Sequence, residues 1–570
     1  MKILGISAYY HDSSAALLVD DTIIAAAQEE RFTRIKHDNA FPAKACRFCL
    51  DYAGYTLEDI DAVVFYEKPF LKFERILESQ IATFPRSFKM FLKTSPIWLK
   101  EKLNMRKLIG NELRKIFGVK PKSIKFVEHH ISHAAFAYCA SGFNESDILV
   151  VDAVGEWATT TNIRATSNSF EVLSEQRFPD SIGLLYSTFT QFLGFKVNSD
   201  EYKVMGLAPY GIADDAETIE FIRLIRTKIL SGIENGFPIL NLGYFSYQYG
   251  DRMICVEKWE HLFRIKARKS HGEILQSHMN LAYAIQNVTE ELLTNLTKSM
   301  SERSSSRKLC ICGGVALNCA ANGYLIEQGN YENIYVPFAP GDCGCSIGAA
   351  LAYDLLSRDK KPTYHISPYL GPSYNRHEIF SILESNGLNY VEVQNDNELC
   401  MACAKLISDG NIIGWFQGRM EMGPRALGNR SILADARDAS MKDKVNSRIK
   451  FREGFRPFAP SVKEDKAPAL FTGCSQSPYM MFTYHVLGDT IPAVTHIDGT
   501  ARVQTVSKKD NPLYYELLSA FESITGSSAF LNTSFNVMGE PIVCTPQDAI
   551  NTFNKSGLDY LIIGNFIVKK

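Results

Sequence analysis

The chain opens on short apolar runs separated by polar ones: KILGIS, YYHDSS, AALLVD, a DD turn, then TIIAAAQEE. Apolar runs of this length bounded by turn-forming residues predict three short strands in a meander. The same order returns from residue 147, where DILVVDA, VGEWATTTNIRA and SFEVLSEQRF again read as strand, polar loop and returning strands. Between residues 215 and 305 the period changes. NLAYAIQNVTEELLTNLTKSM places apolar residues at three- and four-residue steps, so this region is expected to be largely helical. KLCICGGVALNCAANG then runs from an apolar strand through a Gly-Gly turn into a helix. Such a turn can cradle phosphate with backbone N–H groups. FAPGDCGCSIGAALAY sets an aspartate in a loop ahead of another helix of small residues. SRDKKPTYHISPYLGPSYN is polar and carries three prolines, which puts a domain boundary at residues 357–375 and a separate mixed domain at 376–570.

The repeated strand–loop–strand pattern predicts two related halves facing a cleft, the architecture of actin, sugar kinases and Hsp70. A length of 570 residues fits two to four domains, and 46% hydrophobic with 22% charged residues is ordinary globular composition. The net charge of −2 gives no overall electrostatic reason to bind nucleic acid or an anionic membrane. One stretch differs: Pro85–Lys125 holds twelve Lys or Arg against two acidic residues, read here as the solvated face of a basic helical insertion at about 68–122. No segment has eighteen uncharged apolar residues, and the first apolar run is interrupted by His11 and Asp12 without a signal-peptide cleavage pattern. Thirteen scattered cysteines form no small disulfide framework, so reduced thiols and a cytoplasmic location are expected.

Candidate chemistry begins at EHHISHAAFAY, where His129 and His133 stand four apart on one helix face and His130 is turned about 100° away. Asp152 ends the apolar run ILVVD, and Asp342 sits in PGDCG, both at strand ends. Together they would make a shell of two histidines and two aspartates, suited to Fe(II), Mn(II) or Zn(II). Capping roles for all four remain open, as does a rival zinc site built from the pairs Cys310/Cys312 and Cys343/Cys345. In the C-terminal part, GRMEMGPRALGNRS carries Arg419, Arg425 and Arg430, FREGFRPFAP carries Arg452 and Arg456, and DGTARVQTV carries Arg502. Guanidinium forks in glycine-rich turns suit bidentate capture of phosphate or carboxylate, with Asn532, Ser534 and Asn536 of NTSFNVMGEP as further polar groups. A surface salt-bridge network is the alternative. Lys444 reads as part of a solvated face.

HDSSAALL, EHHISHAA, VDAVGEW, KVMGLAPYG, GGVALN, PGDCGCSIGAAL, GPRALGNRSIL, FRPFAPSV and DGTARVQTV, in this order, resemble the NodU/CmcH-type O-carbamoyltransferases. The resemblance implies an α/β protein. Its residues 1–357 would form a duplicated actin/Hsp70-like (Kae1-like) domain that holds a metal, usually iron, and a nucleotide. After a linker at 358–375, residues 376–570 would be a YrdC-like α/β domain making carbamoyl adenylate from carbamoyl phosphate and ATP with Mg. The carbamoyl group would then pass to a hydroxyl of a small-molecule acceptor such as an antibiotic or sugar. Carried over by motif, the metal ligands would be His129, His133, Asp152 and Asp342, and Gly155, Gly313, Gly314 and Asn318 would meet the nucleotide. Arg419, Arg425, Arg452, Arg502, Asn532 and Ser534 would hold carbamoyl phosphate and the adenylate, with Arg419 and Arg502 stabilising charge and His11 or His130 as the base. Neither nucleic acid nor membrane is an expected partner, and a homodimer is compatible with the sequence. The rivals are a threonylcarbamoyl-type tRNA modification enzyme and a nucleotide-dependent kinase or chaperone of the same fold. One position departs from the family pattern: Ala153 replaces a glycine, at a cost of about 1 kcal/mol if that residue needs a positive φ.

Overall fold

A computed structural model describes residues 1–97 and 104–570. It divides into two compact units, one of residues 1–24 and 39–366, the other of residues 25–38 and 367–570.

β1 (Lys2–Ser7), β2 (Ser14–Val19), β3 (Thr22–Gln28), β4 (Ala62–Phe65) and β5 (Ile124–Phe126) form a sheet in the order β3-β2-β1-β4-β5, which belongs to the first unit except for residues 25–28 of β3. β1 pairs antiparallel with β2 and parallel with β4, and β4 pairs parallel with β5. The chain repeats this plan. β6 (Glu145–Val151), β7 (Ala158–Thr166) and β8 (Ser169–Arg177) form a second meander. A separate hairpin of β9 (Leu230–Glu234) and β10 (Phe237–Leu240) follows, before β11 (Lys308–Cys312) and β12 (Asn333–Tyr335). The second sheet has the order β12-β11-β6-β7-β8, with β6 antiparallel to β7 and parallel to β11, and β11 parallel to β12. Strand for strand this is the first sheet again, and the expected duplicated actin/Hsp70-like α/β architecture is present. The central strands are buried along their length, with Ile3, Leu4 and Ile6 of β1 and Ile148–Val151 of β6 fully covered, as apolar runs flanked by helices must be.

The stretch from 215 to 305 is largely helical as expected, and the hairpin is the part that the expectation did not include. Asn235 and Gly236 both adopt positive φ (52° and 88°), the pairing that favours a tight two-residue turn. The helical periodicity of the helix Gln276–Glu302 holds only beyond it. The insertion near 68–122 is helical as expected, with helices Pro69–Ala82, Phe88–Ile97 and Met105–Phe117; Lys100 and Lys102 of the basic stretch lie outside the described residues.

The helices His129–Ser141 and Cys345–Leu356 pack on each other, and glycine sets how closely. A Cβ at Gly348 would stand 1.9 Å from the Ser132 carbonyl oxygen, so only a residue without one permits this approach. Among the described residues no helix is long and apolar enough to cross a membrane.

The second unit is built on an eight-stranded mixed sheet. Its strands are β13 (Tyr390–Glu392), β14 (Ile413–Phe416), β15 (Arg430–Ala434), β16 (Ala459–Lys463), β19 (Gln504–Val506), β20 (Ala529–Ser534), β21 (Tyr560–Ile563) and β22 (Phe566–Lys569). They run in the order β13-β22-β21-β14-β15-β20-β16-β19, and a ribbon of β17 (Thr483–His485) and β18 (Thr500–Arg502) stands apart. Trp415, Leu433, Phe530 and Ile562 from the sheet make a core with Leu517 and Phe521 of the helix Pro512–Thr525. Residues 25–38 belong to this unit through specific bonds: Arg31 donates to the Gly423 carbonyl at 2.8 Å, and Arg34 to those of Pro541 and Ile542 at 2.8 and 2.7 Å.

Candidate functional site

In the first unit, Glu128 in extended conformation precedes the helix His129–Ser141. The buried Glu156 carboxylate accepts the His129 N–H at 3.0 Å and the Lys68 N–H at 2.7 Å, a negative charge at the positive end of the helix. One turn apart, the rings of His129 and His133 bring their Nε2 atoms to 3.1 Å from each other. Asp152 Oδ2 lies 2.9 Å from His129 Nε2 and 3.6 Å from His133 Nε2. Asp342 Oδ1 lies 3.6 and 3.5 Å from the same two nitrogens. Donors bound at about 2.1 Å to one metal ion stand about 3.0 Å apart at octahedral and 3.4 Å at tetrahedral angles. Each aspartate thus reaches the same two imidazole nitrogens at separations compatible with donors to one first-row divalent ion.

The surroundings hold each donor in place. Asp152 Oδ1 accepts the backbone N–H of Ala153 at 2.8 Å and of Gly314 at 3.2 Å, which leaves Oδ2 for the histidines. Ala153 is not among the residues with positive φ, so its departure from glycine carries no backbone strain. On the Asp342 side, Ser14 Oγ donates to the Cys343 carbonyl at 2.7 Å and meets Ser346 Oγ at 2.8 Å, fixing the turn Asp342–Gly344. Burial alone would raise the Asp152 carboxyl, but hydrogen bonds with His129 and His133 hold it well below the usual range. Asp342 is likewise lowered against its burial, first by the charge of His11. Both are anionic donors at neutral pH. Cys345 was read from sequence only as half of a zinc pair. Its ligand atom and those of His129, His133 and Asp342 all lie within 4.8 Å of one another. Cys310 instead contacts Ser146 Oγ and the Ala137 carbonyl.

His11 and His130 differ in setting. His130 is buried, its Nδ1 lies 2.6 Å from Thr161 Oγ1, and burial together with the charge of His129 lowers it to about 3. His11 is part-exposed, bonded to Asp12 at 2.9 Å, with Nε2 3.7 Å from Asp342. Burial works against its protonation, yet Asp342 and Asp12 raise it to about 9. Gly155 packs on His129 and His130, where a Cβ would come within 3.1–3.2 Å of both rings. Gly313 has φ 91° with its Cβ position 2.2 Å from the Val151 carbonyl, so the strand-to-helix turn requires glycine. Asn318 caps the helix Cys319–Gln328 and exchanges two amide bonds with Gln286, at 2.9 and 3.1 Å.

In the second unit, Lys450, which sequence reading passed over, lies almost fully buried. Its Nζ reaches Ser534 and Asn536, including Asn536 Oδ1 at 2.9 Å. Burial, then the charges of Arg452, Arg456 and Lys36, push its amine well below the usual lysine range. Arg452 bonds Asn446 Oδ1 at 2.7 Å and stacks on Phe458. Ser534, Arg452 and Arg456 thus come together around Lys450. Arg419 donates to the carbonyls of Gly371 and Leu370, Arg425 stands half-buried on the same loop, and Arg502 closes β18 with its charge felt by His496. Asn532 spends its amide N–H groups inside the sheet, on Ala426, Ser461 and Gln504, and so holds the loop that presents Arg425. Arg430 is an interior strut: fully buried, bonded to four carbonyls and stacked 3.6 Å over Phe416. Lys444 pairs with Asp438 at 2.8 Å on the surface, as a solvated face should.

The chain is 43% identical to the Synechocystis sp. protein sll1178, over all of this chain and 96% of that one. It is 38% identical to nodulation protein NolNO of Sinorhizobium fredii, over 99% of this chain and 80% of that one. It is 36% identical to nodulation protein NolO of Bradyrhizobium diazoefficiens, over 78% and 79% of the two chains. Residues 2–351 match the model of the carbamoyltransferase N-terminus and residues 404–570 that of the carbamoyltransferase C-terminus. The chain belongs to the carbamoyltransferase family.

Proposed function

We propose that this protein is an ATP-dependent O-carbamoyltransferase acting on a hydroxyl of a small-molecule acceptor. In this reading the second unit takes carbamoyl phosphate, ATP and one water to carbamoyl adenylate, phosphate and pyrophosphate. The first unit then passes the carbamoyl group to the acceptor oxygen, with AMP leaving and the hydroxyl proton taken up by a base. The observation that carries the reading is the convergence of His129, His133, Asp152 and Asp342 in a chain of this family.

A carbamate is a poor electrophile until its oxygen carries a good leaving group, which AMP provides. Around Lys450 the cations Arg452 and Arg456 supply preorganised positive charge for phosphate oxygens, and Ser534 and Asn536 supply orienting polar groups. Arg419, Arg425 and Arg502 are the further guanidiniums assigned to carbamoyl phosphate and the adenylate. In the first unit, His129, His133, Asp152 and Asp342 would hold the divalent ion, Fe(II) by family resemblance. Bound there, it supplies Lewis-acid polarisation of the carbamoyl group. His11 is the part-exposed histidine beside this shell and our candidate base. Asp342 and Asp12 keep it protonated in the metal-free site, and a divalent ion offsetting the Asp342 charge would release that proton and free the ring to accept the hydroxyl's. His130 is buried against Thr161 and serves better to fix the helix start. Gly313 and Gly314 form the turn assigned to the nucleotide.

The test is incubation with ATP and carbamoyl phosphate, without acceptor, followed by mass spectrometry for AMP and carbamoyl adenylate. Arg502→Ala should lose adenylate formation and His129→Ala should keep it. No adenylate from metal-replete wild-type protein would overturn the first step, and equal loss in both variants would overturn the assignment of the two steps to separate residues.

A further inference from the structure

The four-residue shell has a fifth neighbour that its chemistry does not explain. Cys345 is fully buried and opens the helix Cys345–Leu356, three residues after Asp342. One atom each from His129, His133, Asp342 and Cys345 falls inside a 4.8 Å span. Ser14, through the Cys343 carbonyl and Ser346 Oγ, pins the turn that carries both Asp342 and Cys345. Among the described residues, the buried Asp342 Oδ2 meets only His11 Nε2, as an ion pair at 3.7 Å, and has no hydrogen-bond partner, nor has His129 Nδ1. A thiol used only as apolar filling gains nothing from standing among four metal-binding side chains.

We infer that Cys345 is a ligand of the divalent ion held by His129, His133, Asp152 and Asp342, and that its thiolate biases the centre towards softer ions, Zn(II), Co(II) or Fe(II), over Mn(II) and Mg(II). The inference rests on the metal-site reading above. A metal–sulfur bond forms as the sulfur–hydrogen bond is lost, and the proton goes to solvent, so each ion bound releases one proton more than a shell of carboxylates and neutral imidazoles would. A soft sulfur donor added to nitrogen and oxygen donors widens the preference over Mn(II) that the general affinity order already sets.

Zinc is the probe. Wild-type protein, stripped with chelator and reloaded with one equivalent of Zn(II), is examined by zinc K-edge X-ray absorption. A sulfur scatterer at about 2.3 Å, beside nitrogen and oxygen at about 2.0–2.1 Å, is expected. In Cys345→Ser that scatterer should vanish while zinc stays bound, and the preference for Zn(II) over Mn(II) in competition should fall at least tenfold. Cobalt(II) gives a second readout: the wild type should show a near-ultraviolet sulfur-to-cobalt band that Cys345→Ser lacks, with the visible bands kept in both. Zinc bound with nitrogen and oxygen scatterers alone would overturn the cysteine assignment and leave the metal site standing. No stoichiometric zinc or cobalt uptake by the wild type would overturn both.

Discussion

Gly348→Ala tests how the fold makes the metal shell. The added Cβ would sit 1.9 Å from the Ser132 carbonyl oxygen and 2.7 Å from its carbon. An ordinary carbon–oxygen contact is about 3.3 Å, so the helices must part by about 1.4 Å at this point. Both obstacles are helix backbone, which cannot turn aside as a side chain would, and overpacking of this kind costs about 1–3 kcal/mol. The functional effect should be larger than the loss of stability. His129 and His133 ride on one helix, while Asp342 and Cys345 ride at the start of the other. Metal sites tolerate ligand displacements of about 0.2 Å, several times less than the required separation. Even changes outside the ligand set commonly weaken metal sites by about 10–100-fold, so a loss of at least that size is expected here. Zinc affinity measured by chelator competition gives the number, with circular dichroism to show that the variant is folded. Gly232→Ala is the control, since a Cβ there meets nothing within 4 Å. A folded Gly348→Ala protein that binds zinc within threefold of the wild type would refute the claim that this contact sets the ligand geometry.

Lys450→Met should lower adenylate formation by about a hundredfold, the scale of a lost charge-stabilising donor, while zinc uptake stays unchanged; loss of zinc uptake as well would point to global damage. The Lys450 amine is lowered by burial and by neighbouring cations, and a bound anion relieves that repulsion and raises it. Phosphate binding should therefore take up protons and weaken as pH rises, seen by calorimetry in buffers of different ionisation enthalpy; a buffer-independent heat would refute it. The Asp152 carboxyl is held below its unfolded value, so on acidification the unfolded chain takes the proton first. Its contribution to the stability of the metal-free protein is full above the ordinary carboxylate range, about pH 4, and is lost as pH falls through the lowered folded value. Asp152→Asn should flatten that part of the melting-temperature profile, and an unchanged profile would count against the assignment.

What the sequence showed depended on distance along the chain. His129 and His133 were legible because helical geometry fixes residues four apart. The two meanders were legible because each is a local alternation of apolar and polar runs. The hairpin at 230–240 had its own signal in Asn235-Gly236, but the helical period on either side outweighed two residues. Cys345 was legible only as half of a cysteine pair, and its place beside the histidines was hidden for a different reason. Nothing in CGCSIG says which face of the turn meets the histidines, and that face is chosen by Gly348 against Ser132. The place of residues 25–38 in the second unit rests on Arg31 and Arg34 meeting carbonyls several hundred residues away, a pairing no local pattern encodes.

Lys444 and Lys450 show why charge is the hardest property to read. Six residues apart in one charged segment, the first pairs with Asp438 on the surface and the second is almost fully buried with other cations nearby. The same holds for whole sites. The first unit buries Asp152 and Asp342 against the same two histidines, and the second buries Lys450 beside arginines. Like charges withdrawn from water together are costly, and a bound ion of opposite sign offsets that cost. On the reading proposed above, a cation would offset the charge of the first cluster and an anion that of the second. Summed over the chain the two nearly cancel, and a net charge of −2 conceals both. Overall charge carries no information about two sites whose opposite charges act over a few ångströms.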